Sequence, residues 1–303
     1  MARSMGAPPR VTLEALPLRS HEGVRDLVAR LAAIPGVAAV ALGGSHARGC
    51  ARPDSDVDLG VYYAEAQPFA IAEIRALAEA ANDRPGPVVS DLQEWGPWVD
   101  GGAWLTVGGG RVDLLYRSFE RLERTCADAE AGRYEVHWAQ QPPFGYWSGT
   151  QLGELAICEP LFDRDGRLAA LKRRVEVYPE ALRRAVVADQ LWQVDFGIAA
   201  FARKLAERGE VYPTAGCLTR FAFQLVLALF ACNRAWLVND KTAIAEVAGF
   251  EQAPRDFGPR VEAVLARPGA TAAELSASVE AIARLWRETT ALCGGYEPRY
   301  LLP

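Results

Sequence analysis

Two groups of residues suited to phosphate chemistry lie close together in VAAVALGGSHARGCARPDSDVDLGVYY, from Val37 to Tyr63. An apolar, strand-like run from Val37 to Leu42 stops at Gly43-Gly44-Ser45. Small residues there let backbone N–H groups approach an anion closely, which suits a phosphate. After a short spacer, Ser55-Asp56-Val57-Asp58-Leu59 alternates polar and apolar residues with the period of a strand. Side chains two apart on a strand share a face, so Asp56 and Asp58 point together while Val57 and Leu59 point into a core. Two adjacent carboxylates repel, and one would be driven to keep its proton. A pair of divalent cations turns that repulsion into a reason for both acids to be present.

The elements that must position these groups follow from periodicity. From His21 to Ala33, Val24, Leu27, Val28 and Leu31 recur at helical spacing, and Pro35-Gly36 ends the helix before the first strand. Residues 1 to about 19 show no period and form a loose lead-in, and His21 precedes the helix as an ordinary exposed residue. Phe69 to Ala81 gives a second amphipathic helix, closed by the turn residues Asn82 to Pro87. Val88 to Leu92 reads as a short strand. Trp104 to Val107 and Arg111 to Arg117, joined by Gly108-Gly109-Gly110, read as a hairpin. In its second strand Val112, Leu114 and Tyr116 take one face and leave Asp113 with Leu115 on the other. Asp91, Glu94 and Asp100 compete with Asp113 for the place of a third acid, but none of them sits inside an alternating apolar strand.

Gly-Gly-Ser, a spacer and Asp-x-Asp on a strand resemble the signature of the DNA polymerase β-like nucleotidyltransferase superfamily. The form GGSHARG followed by SDVDLGVYY is similar to its bacterial small-molecule and aminoglycoside nucleotidyltransferase branch. The resemblance implies an α+β fold, with an N-terminal nucleotidyltransferase domain of mixed sheet and flanking helices over residues 1–165. A helical bundle over 166–303 would cover substrate or nucleotide. It also implies transfer of a nucleoside monophosphate, AMP from ATP, to a hydroxyl of a small molecule, with two Mg²⁺ ions and release of pyrophosphate. Asp56, Asp58 and, from VDLLYR, Asp113 would hold metal, and Asp113 would also take the proton of the attacking hydroxyl. Gly44 and Ser45 would meet the phosphates, with Arg48 and Ser55 of the same loop as further contacts. His46 is a bystander, because three isolated histidines form no ligand cluster. Leu161-Phe162-Asp163 followed by Asp165-Gly166 resembles the strand end and turn with which several of these bacterial enzymes close the catalytic domain, and the boundary is set there.

The rest of the chain is helical: Arg167 to Val177, Pro179 to Arg208, Tyr212 to Ala235, Lys241 to Ala248, Pro259 to Ala266 and Ala272 to Leu292. LFACNRAWLVNDKTAIAEVAGF resembles a segment of the helical domain of several bacterial nucleotidyltransferases, which implies that Lys241 faces the triphosphate and sets Asn233 near substrate. Asp195 shares a helical stripe with Trp192, Ala199 and Ala202, so it needs a partner. It either lines a cleft for a cationic acceptor or forms a salt bridge. Trp192, Trp236, Tyr296 and Tyr300 read as packing residues.

Composition narrows the partners. A net charge of -5 disfavours a long nucleic-acid substrate and suits a small or cationic acceptor beside the NTP that the resemblance implies, with the chain itself a monomer or homodimer. Six cysteines without a CxxC pair give neither a zinc site nor a disulfide framework. The N-terminus lacks the apolar core of a secretory signal, and the apolar run Phe221 to Cys232, interrupted by Gln224, is too short to span a bilayer. Both point to the cytoplasm and no membrane. Two other readings remain open: a non-catalytic or antitoxin-like binding protein of the same fold, and an enzyme modifying protein or tRNA.

Overall fold

The computed structural model describes residues 18–141 and 143–301, with side chains from Glu22 onward. The expected lead-in lies almost wholly outside these residues, as does the His21 side chain. The described residues divide into two compact units: one from residues up to 127, 136–140 and 151–177, the other from 128–135, 141–150 and 178 onward.

The first unit is built on a six-stranded mixed sheet. Its elements in chain order are α1 (Leu18–Ala33), β1 (Ala39–Leu42), α2 (Gly44–Ala47), β2 (Val57–Tyr63), α3 (Ile71–Ala81), β3 (Val88–Val89), β4 (Gly102–Val107), β5 (Gly110–Ser118), α4 (Phe119–Glu130), α5 (Gly149–Ile157), β6 (Glu159–Asp163) and α6 (Arg167–Arg174). The strand order is β3-β4-β5-β2-β1-β6. β2 and β5 run parallel, and every other neighbouring pair is antiparallel.

Alternation along the two central strands decides which face is core. Val57, Leu59 and Val61 on β2 and Val112, Leu114 and Tyr116 on β5 are buried in one cluster with Leu27 and Leu31 of α1 and Ile74 and Leu77 of α3. Each such side chain contributes about 1.5–3 kcal/mol by leaving water. A slip of one residue in either strand would expose that whole set, so the register is strongly specified. Its consequence is that Asp58, Gly60 and Tyr62 of β2, and Asp113, Leu115 and Arg117 of β5, face the other side of the sheet.

Two sequence expectations shift here. The helix expected to start after His21 begins at Leu18. The strand expected over Val88 to Leu92 shrinks to Val88–Val89, because the chain turns at Asp91, whose N–H donates to Glu94 Oε2 at 2.7 Å. The competing acids are all engaged. Asp100, fully buried, accepts from Tyr63 Oη at 2.7 Å and pairs with Arg121, while Asp91 pairs with Arg75 at 2.7 Å.

The second unit is helical: α7 (Glu180–Gly197), a π-helical turn (Ile198–Ala202), α8 (Arg203–Glu207), α9 (Val211–Cys232), α10 (Asp240–Val247), α11 (Phe257–Ala266) and α12 (Ala272–Cys293). α9 is its axis, buried at every residue from Phe221 to Cys232. At 22 residues α9 outruns the apolar stretch seen in the sequence and is long and apolar enough to cross a membrane, yet 72% of its most apolar window is buried inside the unit. Thr271 and Glu274 form a reciprocal capping box that starts α12. The expected mixed sheet with flanking helices, followed by a helical region, is what the chain forms: an α+β architecture.

Candidate active site

β1 delivers the chain to Leu42, which pairs with Leu59, and this antiparallel step brings Gly43 against the start of β2. Gly43 N–H donates to the Asp58 carbonyl at 2.8 Å. Gly44 then turns with φ of +58°, a left-handed conformation that glycine adopts without strain. Space demands glycine as well. A Cβ at Gly44 would collide with the Asp58 carboxylate, its Cγ being 2.7 Å away. The first N–H groups of α2 have no acceptor within the helix, so the Gly44-Ser45 backbone presents donors next to an acid.

The parallel ladder then brings in the second strand. Asp58 is the direct partner of Asp113, so the two carboxylates stand side by side on the face away from α1 and α3. Burial first, then the carboxylates of Asp113, Glu154 and Asp56, push the Asp58 carboxyl up to about 6, against a lowering pull from Arg117. Arg117 is buried two positions beyond Leu115 on β5 and is held by Glu154 Oε2 at 2.8 Å and by the Tyr116 carbonyl at 3.1 Å. Asp56 lies two residues before Asp58. Arg111 Nε comes within 2.5 Å of its Oδ1, close enough for an ion pair but not aligned as a hydrogen bond. Arg111 also donates from Nη2 to the Asp54 carbonyl at 2.9 Å.

Asp56, Asp58 and Asp113 therefore gather as the sequence implies, with Gly44 and Ser45 beside them. Ser55 ties the loop, its Oγ accepting from Arg52 N–H at 2.8 Å, and Arg48 closes α2 with its N–H on the Gly44 carbonyl at 3.2 Å. His46 Nε2 is buried without a hydrogen-bond partner among the described residues. Three residues were missed. Arg111 and Arg117 were legible in principle, since each is an even number of residues from Asp113 on one strand. Glu154 comes from α5, and no local pattern links it to the acids.

Among the described residues no group of three or more His, Cys, Asp or Glu side chains is closed around a point where a metal would sit. The donor set nonetheless fits Mg²⁺. All its atoms are carboxylate oxygens, the choice of a hard cation. The Asp58 carboxyl is raised first by burial and then by the neighbouring carboxylates of Asp113, Glu154 and Asp56, and a cation held there would lower it.

The three residues expected in the helical half fall in the second unit. Two are corrected. Asp195 is fully buried and accepts from Tyr296 Oη at 2.7 Å and from the N–H groups of Arg299, Tyr300 and Leu301 at 2.7, 3.1 and 2.6 Å. Neither a substrate cleft nor an arginine claims it; it fastens the C-terminal segment. Asn233 caps α9, with Nδ2 on the Leu229 and Gln252 carbonyls at 2.8 and 2.9 Å and Oδ1 accepting from Gln252 N–H at 3.0 Å, so both its donors and one of its two acceptor directions are spent within the unit. Lys241 stays exposed in the first turn of α10.

Residues 23–97 match the family model of a nucleotidyltransferase domain. The match takes in Gly43-Gly44-Ser45, Asp56 and Asp58 and ends before Asp113. Residues 147–241 match a second model, described as a domain of unknown function (DUF4037). The crystal structure of a nucleotidyltransferase-like protein from Exiguobacterium sibiricum 255-15 is similar over 90% of this chain and 76% of its own, at 14% identity and a TM-score of 0.46. No curated protein matches the chain.

Proposed function

We propose that this chain is a Mg²⁺-dependent nucleotidyltransferase that moves a nucleoside monophosphate, AMP from ATP, onto a hydroxyl of a small molecule and releases pyrophosphate. One observation carries the reading: the parallel register of β2 and β5 sets Asp58 against Asp113, next to Asp56 and to a Gly44 that only glycine can occupy. In the reaction the acceptor oxygen forms a bond to the α-phosphorus, and the bond from that phosphorus to the pyrophosphate oxygen breaks. Asp113 takes the hydroxyl proton. Asp56, Asp58 and Asp113 would hold the divalent cations, which supply positive charge to the phosphates and to the leaving pyrophosphate. The Gly44 and Ser45 N–H groups orient the phosphates. Lys241 is proposed as a further contact to the β- and γ-phosphates.

The acceptor, an aminoglycoside-like polyol in the first instance, rests on the motif resemblance and the acidic charge balance. An NTP co-substrate fits a cytoplasmic enzyme, working as a monomer or homodimer. A second reading, a nucleotide-binding protein without turnover, is favoured by the hold of Arg111 on Asp56. One experiment separates them. Thermal shift with a non-hydrolysable ATP analogue, with and without Mg²⁺, is followed by pyrophosphate release with an acceptor panel, comparing wild type with Asp58→Asn and Asp113→Asn. Metal-dependent stabilisation and turnover, both lost in Asp58→Asn, support the enzyme. Stabilisation without turnover on any acceptor supports the binding protein, and wild-type turnover in both variants overturns the site.

A further inference from the structure

The second unit carries a shallow, solvent-open cavity of about 400 Å³ that the nucleotidyl-transfer chemistry does not use. One face of α7 supplies Ala185, Ala188, Asp189 and Trp192, and the C-terminal segment supplies Tyr296 and Arg299. Spacings of three, four and seven residues put the α7 set on a single stripe, where the two alanines leave room and Trp192 makes a wall. The opposite wall is there by construction. Asp195 grips the Arg299, Tyr300 and Leu301 N–H groups and the Tyr296 hydroxyl, and so holds the C-terminal segment against α7.

The charges lining the cavity are unusual. Asp189 Oδ2 accepts from the Tyr134 hydroxyl, from Gln190 Nε2 at 3.2 Å and from Gln193 Nε2 at 2.9 Å, all neutral donors, while no bond engages its Oδ1. Among the described residues neither Asp189 nor the Arg299 side chain has an ion-pair partner. Three hydrogen bonds fix the carboxylate in orientation without neutralising it, which is how a site for a cation is prepared. The cavity thus offers one oriented negative group, one positive group and an aromatic wall, within a volume typical of small-ligand sites. A polycation would meet Arg299, and a polyanion would meet Asp189. We propose that this cavity binds a zwitterion of amino-acid size, with its ammonium group on Asp189, its carboxylate on Arg299 and a planar side chain against Trp192. The proposal does not depend on the chemistry of the first unit.

The test uses the full chain and three matched probes in isothermal titration calorimetry. L-tryptophan carries ring, ammonium and carboxylate; tryptamine lacks the carboxylate, and indole-3-propionate lacks the ammonium. L-tryptophan is expected to bind roughly tenfold or more tightly than either analogue, the usual scale for losing one charged contact. In Asp189→Asn the preference for L-tryptophan over indole-3-propionate is lost, and in Arg299→Gln the preference over tryptamine is lost. Arg299→Gln keeps the backbone N–H that Asp195 holds, so it remains informative even if Asp189→Asn folds poorly. No binding of L-tryptophan at about 10 mM, where even a millimolar site would fill, overturns the proposal. Equal affinity for all three probes, or preferences unchanged in Arg299→Gln, overturns it too.

Discussion

Replacing Asp58 by asparagine should make the protein more stable, and by an amount that depends on pH. The Asp58 carboxyl is pushed from its ordinary 3.8 up to about 6 by burial and by the carboxylates of Asp113, Glu154 and Asp56. Below 3.8 the group is protonated whether the chain is folded or not and costs nothing. Between 3.8 and about 6 the folded state keeps a proton that the unfolded chain has given up, so stability falls as pH rises through that window. Above it the cost is constant. Each pH unit of such displacement is worth about 1.4 kcal/mol, so the full penalty at pH 8 is about 3 kcal/mol. Asp58 is not wholly sealed from solvent, so screening reduces this to about 1.5 kcal/mol at pH 8 and to about half that at pH 5. For a unit of this size, 1.5 kcal/mol corresponds to a melting temperature higher by about 3–6 °C. The assay is thermal unfolding of wild type and Asp58→Asn in EDTA at pH 5 and pH 8. Adding Mg²⁺ should narrow the gap at pH 8, because a cation relieves the wild type and not the amide. A variant no more stable than wild type at pH 8 refutes the argument that Asp58 is held against its own electrostatics.

Other perturbations follow from the same contacts. Gly44→Ala meets both a left-handed backbone and the Asp58 carboxylate, so it should cost about 1–2 kcal/mol in stability and roughly 100-fold in turnover, read by melting and by pyrophosphate release. Turnover within about fivefold of wild type would show that Asp58 tolerates displacement. Arg111→Gln frees Asp56 from a half-exposed ion pair worth about 0.2–1 kcal/mol, so Mn²⁺ measured by electron paramagnetic resonance should bind up to about fivefold more tightly; unchanged or weaker binding would mean that Arg111 does not compete for that carboxylate. Asp195→Ala removes the acceptor of four donors, one of them buried and three part-buried, and should cost about 2–3 kcal/mol in urea unfolding, and a loss below about 1 kcal/mol would remove its role as the fastener of the C-terminal segment.

What the sequence disclosed follows the reach of its patterns. Asp56, Asp58 and Asp113 were legible because each lies in or beside a strand whose apolar partners alternate, and alternation fixes a face without reference to anything distant. The pairing of Asp58 with Asp113 needed more, namely that β2 and β5 run parallel and in register, and no local signal states that. Glu154 was invisible for the same reason taken further, since α5 comes to the acids through tertiary packing alone. Boundaries drifted where side chains compete with the ladder, as at Asp91, whose N–H prefers Glu94.

Asp195, fully buried, and Asp189, half-buried, show why an acid on a packed helix was the hardest residue type to read. Both lie on α7, six residues apart, and composition gives them the same standing. Asp195 spends its oxygens on four donors of one chain segment and is thereby structural. Asp189 receives its three donors on one oxygen, leaves the other without a hydrogen bond, and lines a cavity. The difference is one of hydrogen-bond capacity: a carboxylate offers about four acceptor directions, and function belongs to those that the fold leaves unfilled. The same comparison separates Asn233 from Asp58. Asn233 spends both donors and one acceptor direction on Leu229 and Gln252, whereas Asp58 is raised first by burial and then by the carboxylates of Asp113, Glu154 and Asp56, against the pull of Arg117, an imbalance that a bound cation would ease.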